Sequence, residues 1–553
     1  MSKGARRGFK MAGMDRRQRI QFFALLFIGL GVTAAFGIWW FEPHHIAQNF
    51  GGAFHLFDYV LFVVLTYIVW HQIVMELFAW YVAAHVKEPD RSIVPEDGLR
   101  VAYCTAFVPG AEPYSILERT LEAMVGVDYP HDTWLLDEGD DAEAKAICKR
   151  HGVHHYSRKG KDEFNTDSGR FVRKTKGGNY NSWLHHHDQE YDIVAQHDVD
   201  FIPRKDFLVR SLGYFRDPSV AFVGGPQVYG NLDESWIARG AAEQTYGFYG
   251  LMQKGFYGLD MTLLIGANHL VRTEAYRDID GYAAHIAEDM LTGMKLYAHK
   301  SKWKSVYLPD ALLLGEGPST WVAYFGQQMR WAYGCMDIVF RYAPGILPKM
   351  SLRRIFNYVV LQQFYFSGVA QVAGVCLLTL YFLFGVSPGN LGLTPILELY
   401  VPLVLYQFIF QLWLQRLNVD PKTERGFFLR GKLLSLASLP IFFLAFMGVI
   451  RGKRLTYIVT PKGAQQETER TPSLFVPHFI LGSITLIDMV FGVALRHVAG
   501  PMIFWAALNT LCMYAFFFSE AAPAFVFRAK RTFARAPIVP VVDFKVAEEA
   551  TVV

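Results

Sequence analysis

Apolar and polar residues are segregated along this chain into long blocks. Two apolar runs, Phe22–Phe41 and Phe57–Ala83, precede residue 90, the second interrupted by His71, Gln72 and Glu76. Four more follow residue 350: Val359–Val386, Ile396–Leu414, Leu474–Leu495 and Ile503–Phe525. About twenty apolar residues cross a bilayer, so each run predicts a membrane-spanning helix. A further run, Leu433–Ile450, has Arg430 and Lys432 before it and Arg451, Lys453 and Arg454 after it, with Ser435, Ser438 and Pro440 inside. Basic residues at both ends predict an interfacial or re-entrant helix there, leaving six spans.

The intervening block follows another rhythm. "LRVAYCTAFVPG" is an apolar run stopped by Pro-Gly, and "EPYSILERTLEAMVGVDYP" has Ile116, Leu117, Leu121 and Met124 at helical spacing. "TWLLDEGDD" predicts a short strand ending at Asp137 and Glu138, "AEAKAICKRHGV" a helix, and "VHHYSR" another strand. Alternating strands and helices predict a Rossmann-like, mostly parallel α/β sheet, which binds ligands at the carboxyl ends of its strands. The expected organisation is therefore a segment with two membrane helices (1–94), a cytosolic α/β domain (95–345), interfacial and membrane helices (346–527) and a cytosolic tail (528–553).

Composition agrees with this division. Over 553 residues, 52% are hydrophobic, 15% aromatic and only 19% charged, too apolar for an ordinary soluble enzyme. The net charge of +4 matters less than its placement. Lys3, Arg6, Arg7, Lys10, Arg16, Arg17 and Arg19 place the N-terminus in the cytosol, and the stretch Glu42–Leu56, without Lys or Arg, suits the outside. Arg528, Lys530, Arg531 and Arg535 place the tail inside as well. The five cysteines form no CxxC pair, which argues against a zinc site or disulfide framework, and no cleavable signal is expected.

Candidate chemistry lies in the α/β block. In "VAQHDVDFIP", Asp198 and Asp200 close an apolar run. Unpaired buried carboxylates are costly, so either a cationic partner is expected beside them or they sit where the strand emerges, and residues one apart on an extended strand share a side. They suit a hard divalent ion, Mg²⁺ or Mn²⁺. Asp137/Glu138 is equally consistent with a solvated turn, and Glu288/Asp289, opening a predicted helix, with simple dipole complementation. In "WVAYFGQQMRWAYG", Gln327, Arg330 and Trp331 share a helical face. That face suits either a membrane-surface anchor or a site offering an amide, a guanidinium and an aromatic plate.

An acid after the second strand, then DxD, ED and QxxRW, between membrane spans, resembles the processive family 2 glycosyltransferases: cellulose, curdlan, chitin and hyaluronan synthases. The resemblance runs from about Val101 to Gly463, with "KTKGGNYNSWL" resembling the family's K-x-G-N segment and "YIVTPKG" its cytosolic gating loop. It implies a GT-A type domain inserted between transmembrane helices. It also implies Asp198 and Asp200 as metal ligands for Mg²⁺ or Mn²⁺, and Asp289 as general base. Asp137, Lys176, Asn179, Gln327 and Arg330 would bind the donor. Trp331, with Gly266 and Asn268 of "LIGANHLVR", would bind the acceptor. Thr460, Lys462 and Gly463 would belong to the gating loop. Two departures stand out: Ala287 replaces the family's threonine before Glu288-Asp289, and "LIGANHLVR" replaces a cysteine-containing loop, which leaves open whether the acceptor or linkage is that of cellulose.

The resemblance implies an inverting, plasma-membrane polysaccharide synthase. It would transfer glucose from UDP-glucose to the non-reducing end of a β-glycan and pass the chain across the bilayer. A synthase using UDP-N-acetylglucosamine and a non-processive enzyme glycosylating a lipid carrier remain alternatives, as does, from another class, a transporter with a nucleotide-binding domain. Expected partners are the nucleotide sugar, the growing polysaccharide and the bilayer, with no nucleic acid; an accessory subunit or a second copy is left open. Tyr358, Gln362, Gln363, Tyr365 and Ser367 are candidates for a polymer path. Asp488, the one clear acid deep in a span, is not assigned. No cyclic di-GMP-binding domain is expected after the last span.

Overall fold

The computed structural model describes residues 11–452 and 471–521. Helix α1 (Arg16–Trp40) starts at a reciprocal cap: Asp15 accepts from the Gln18 backbone N–H at 2.7 Å, and the Gln18 side chain accepts from that of Asp15 at 3.2 Å. At 25 residues it is about 37 Å long. A loop and two short 3₁₀ turns lead into α2 (Leu56–Ala83). Phe27, Ile38 and Val63 stand out from these helices 64–80% exposed, the surface that a bilayer covers.

The next block is built on seven strands: β1 (Val101–Phe107), β2 (Asp132–Asp137), β3 (His154–Tyr156), β4 (Ile193–Asp198), β5 (Val220–Gly224), β6 (Asn268–Arg272) and β7 (Lys304–Tyr307). Their order is β7-β5-β6-β4-β1-β2-β3. All neighbours are parallel except β6, which runs antiparallel to both β4 and β5. β1 and β5 are buried along nearly their whole length, as in a sheet covered on both faces. Helices α3 (Tyr114–Val125), α4 (Ala142–His151) and α5 (Lys176–His187) connect the first four strands. The buried positions of α3 are Ile116, Leu117, Thr120, Leu121 and Met124, the stripe expected from the sequence. α6 (Trp236–Gly247), α7 (Glu288–Ala298) and α8 (Trp321–Asp337) follow. The domain is thus a mostly parallel α/β domain between apolar helices, as the pattern predicts.

Glycines weld this domain to the apolar helices. A Cβ at Gly255 would collide with Val82 at the end of α2, and one at Gly258 with the His85 carbonyl just beyond it. Gly250 lies equally close to the backbone of Asn418.

The later apolar helices are α9 (Ser367–Phe384), α10 (Val401–Leu414), α11 (Leu429–Ile450), α12 (Val476–Ala494) and α13 (Gly500–Ala521). Among the described residues, seven helices are long and apolar enough to cross a membrane, and α11 is one of them. The sequence reading set α11 apart partly because of Pro440, yet the helix runs unbroken through it. His478 Nε2 lies 2.8 Å from the Ala437 carbonyl and, as donor, covers backbone that the proline disturbs. The first half of α11 lies along the catalytic block. Glu243 accepts from the Gly431 N–H at 2.9 Å, Gln244 donates to Ser435 at 2.8 Å, and the hydroxyls of Tyr324 and Ser438 are 2.9 Å apart.

Candidate active site

Asp198 is the last residue of β4, but Asp200 is not on the strand: Val199 and Asp200 form a turn closed by the Phe201 N–H donating to the Asp198 carbonyl at 2.9 Å. Thr120 of α3 pins this turn by donating to the Val199 carbonyl at 2.6 Å. The two acids are therefore brought together by a turn rather than by strand alternation. Asp198 is half-buried and Asp200 buried.

The N-terminus of α5 faces this turn. Thr175 caps the helix, accepting from the Gly178 N–H at 3.0 Å, and Lys176 follows. The buried Lys176 ammonium donates to Asp198 Oδ1 at 2.5 Å and to the Gly266 carbonyl at 2.8 Å, and lies 4.0 Å from Glu288 Oε1. One turn along, Asn179 donates to the Leu136 carbonyl at 3.1 Å, while its buried side-chain oxygen has no hydrogen-bond partner among the described residues. Lys176 and Asn179 thus bridge the carboxyl ends of β2 and β4.

Across Gly266 stands the start of α7. Asp289 Oδ2 accepts from the Gly266 N–H at 2.8 Å and Oδ1 from the Met290 N–H at 2.7 Å. Burial raises the pKa of both Glu288 and Asp289. The two N–H bonds and the Lys176 charge act the other way on Asp289, and the Asp289 charge raises Glu288 further while Lys176, 4.0 Å away, opposes that rise.

The other expected residues fall around this centre. Asp137, fully buried at the end of β2, accepts from the backbone N–H groups of Gly139 (2.8 Å) and Asp141 (2.5 Å) and lies 3.0 Å from His155 Nε2. These contacts use about three of a carboxylate's four acceptor positions. Gln327 and Arg330 project from α8; Gln327 is buried and donates weakly to the Tyr229 hydroxyl at 3.5 Å. Trp331, next on that helix, is half-buried. Asn268 opens β6 opposite His197 and, buried, donates to the Pro226 carbonyl at 3.2 Å. Its amide is thus engaged within the sheet. Thr460, Lys462 and Gly463 lie outside the described residues.

Three contributors escaped the sequence reading. Burial is the main cause of the raised Tyr229 phenol pKa, and the Asp200 and Asp198 charges add to it, so this ring belongs to the same pocket. His155 steadies Asp137. Arg158, fully buried, pairs with Glu138 at 2.5 Å and donates to the Phe164 carbonyl at 3.0 Å and the Val172 carbonyl at 3.2 Å, shaping the loop that delivers Lys176. None of the three carried a readable local signal; His155 is the middle residue of β3.

Comparison with known proteins agrees with the motif order. The family profile described as glycosyl transferase family group 2 matches residues 193–414. The chain is 25% identical over 398 residues to the cellulose synthase catalytic subunit [UDP-forming] of Pseudomonas fluorescens, covering 69% of this chain and 50% of that one. It is 27% identical over 260 residues to putative cellulose synthase 2 of Komagataeibacter xylinus, covering 44% of this chain and 16% of that one. This chain therefore spans half or less of the length of these relatives. Among solved structures, the mannosyltransferase PcManGT of Pyrobaculum calidifontis, in complex with GDP-Man and Mn²⁺, superposes with a TM-score of 0.48 at 16% identity, covering 71% of this chain and all of that one. The chain is thus similar to glycosyl transferase family group 2 over residues 193–414 and, over longer stretches, to cellulose synthase catalytic subunits.

Proposed function

We propose that this chain is a processive, inverting glycosyltransferase that extends a β-glycan from a nucleotide sugar, with UDP-glucose as donor. The observation that carries this reading is the convergence on Gly266. Its carbonyl meets Lys176, which holds Asp198, and its N–H meets Asp289. Motifs 90 residues apart in sequence thereby form one pocket at the carboxyl end of the sheet.

The chemistry follows from these groups. Asp198 and Asp200 are carboxylate oxygen donors held on one turn, a pair that suits Mg²⁺ or Mn²⁺. When bound, such an ion neutralises charge on the diphosphate leaving group. Lys176 adds a fixed positive charge on the donor side, and Gln327 and Arg330 grip the diphosphate. Asp137 binds the base or ribose with its remaining acceptor position. Asp289 takes the proton from the acceptor hydroxyl as it attacks the anomeric carbon from the face opposite the leaving group; one displacement inverts configuration. Trp331 carries the acceptor sugar.

A path for the product is supported by buried polar atoms without hydrogen-bond partners among the described residues: both amide atoms of Asn357, the Tyr358 hydroxyl, Gln362 Nε2 and Gln371 Oε1. Such atoms are costly in a dry bundle and suit a hydrated passage for a hydroxyl-rich polymer. The side of the membrane facing the catalytic domain is read as cytosolic from the basic N-terminal residues.

The test is Asp289→Asn. It keeps shape but cannot accept a proton. UDP binding by calorimetry should stay near wild type while polymer synthesis falls by about 10² or more. Wild-type synthesis by the variant would place the base elsewhere, with Glu288 next.

A further inference from the structure

The loop joining α1 to α2 carries a cluster that plays no part in transfer. Glu42, His44 and His45 each place one ligand atom within 4.8 Å of the other two. Glu42 Oε2 lies 3.3 Å from His44 Nδ1, and the two imidazole rings are 4.2 Å apart. His45 is the anchor. It is 3% exposed, and its Nδ1 lies 3.3 Å from the Trp40 carbonyl. A proton on Nδ1 donated to that carbonyl leaves the Nε2 lone pair for a metal, the arrangement in which a carbonyl fixes a ligand's tautomer and ring angle.

The backbone beneath is fixed from a second loop. Asn390 donates its N–H to the His45 carbonyl at 2.7 Å and its side chain to the His44 carbonyl at 3.3 Å. Asn49 and Ser387 exchange two bonds, at 2.8 and 2.9 Å. The buried Asp58 accepts from the Asn49 and Phe50 N–H groups, both at 3.2 Å. The two outer ligands are adjustable: the side chains of His44 and Glu42 are 64% and 44% exposed. Ligands around one tetrahedral ion stand about 3.3–3.5 Å apart, so the cluster closes by rotating those two side chains alone.

We propose that Glu42, His44 and His45 form a transition-metal site on the α1–α2 loop, filled by Zn²⁺ or a similar first-row dication, on a backbone that the loop after α9 holds in place. Two imidazoles and one carboxylate are borderline donors that suit Zn²⁺ over Mg²⁺ or Ca²⁺, and three protein ligands leave one position for water. The site lies at the far end of α1 from Arg16, across the span from the end of α2 that meets the catalytic domain. It is therefore separate from Asp198 and Asp200.

The test is Zn²⁺ titration of the full-length, detergent-purified, chelator-stripped protein, with millimolar Mg²⁺ present to occupy the catalytic carboxylates. Wild type should bind one Zn²⁺ that Mg²⁺ does not displace, and its melting temperature should rise. His44→Ala and Glu42→Gln, both at exposed side chains, should weaken that binding about tenfold or more and lose the rise, with melting unchanged in the absence of Zn²⁺. Failure of wild type to take up Zn²⁺, or equal affinity in wild type and His44→Ala, would overturn the proposal.

Discussion

Gly266→Ala probes the catalytic geometry without touching a charged group. A Cβ there stands 3.2 Å from Glu288 Oε1 and 3.3 Å from Asp289 Oδ2, inside comfortable contact. The backbone of Gly266 is not in the left-handed region, so alanine adds no torsional strain. The new methyl acts on the two carboxylates alone, which must retreat by a few tenths of an ångström. That shift stretches the 2.8 Å bond from the Gly266 N–H to Asp289, a bond to a charged group worth about 1.5–3 kcal/mol. Losing about half of it, ~0.75–1.5 kcal/mol, corresponds to a factor of about 4–13 in rate, and misplacement of the base can extend this towards 10². The assay is incorporation of labelled sugar into polymer by purified protein, beside calorimetry with UDP. We expect kcat to fall about 4–100-fold with UDP affinity within about threefold of wild type. Wild-type kcat in Gly266→Ala would refute the claim that Gly266 positions the base. A matching loss of UDP affinity would place Gly266 on the donor side.

The pH dependence follows from burial. Asp289 must be ionised to act, and desolvation raises its pKa, so activity is present above that pKa and lost as pH falls through it. The acidic limb of kcat should therefore lie above the ordinary aspartate value of about 4; a limb at or below it would mean a solvated base. Tyr324→Phe removes the hydroxyl that meets Ser438 and Gln244 between α8 and α11, and should lower the apparent melting temperature by about 2–4 °C with little change in UDP binding. Unchanged melting would show that this contact does not hold the two helices together. A cysteine at Thr460 should resist impermeant thiol reagents in intact cells if α11 ends on the side of the catalytic domain. Ready labelling would mean that α11 crosses.

Much of the site was legible because its residues mark boundaries between local patterns. Asp137 and Asp198 end apolar strands, Lys176 begins a helix after a capping threonine, and Asp289 begins another. Each boundary is set by neighbours within a few residues. What was not legible depends on long-range register. The antiparallel insertion of β6 sets Asn268 opposite His197, and nothing within "LIGANHLVR" announces it. The meeting of Lys176 with Asp198 and Gly266, and of Tyr229 with Gln327, likewise exists only once the sheet is assembled. Asp200 shows the limit most plainly. Strand alternation was expected to set it on one side with Asp198, but a turn places it. For α11, length and hydropathy admit a full span, whereas its flanking charges and its packing on α6 and α8 draw it to the catalytic domain.

The glycine welds at Gly250, Gly255 and Gly258 bear on how the chain is made. Val82 and His85 leave the ribosome well before the glycines that close on them, and Asn418 long after. The α/β block therefore docks first onto helices already inserted in the membrane and must wait for α10 before its last face is covered. Expressed alone, residues 95–345 would keep those glycine surfaces bare, open to association with other chains. The α/β block and the apolar helices are thus completed as one unit only when the chain after α10 has joined them.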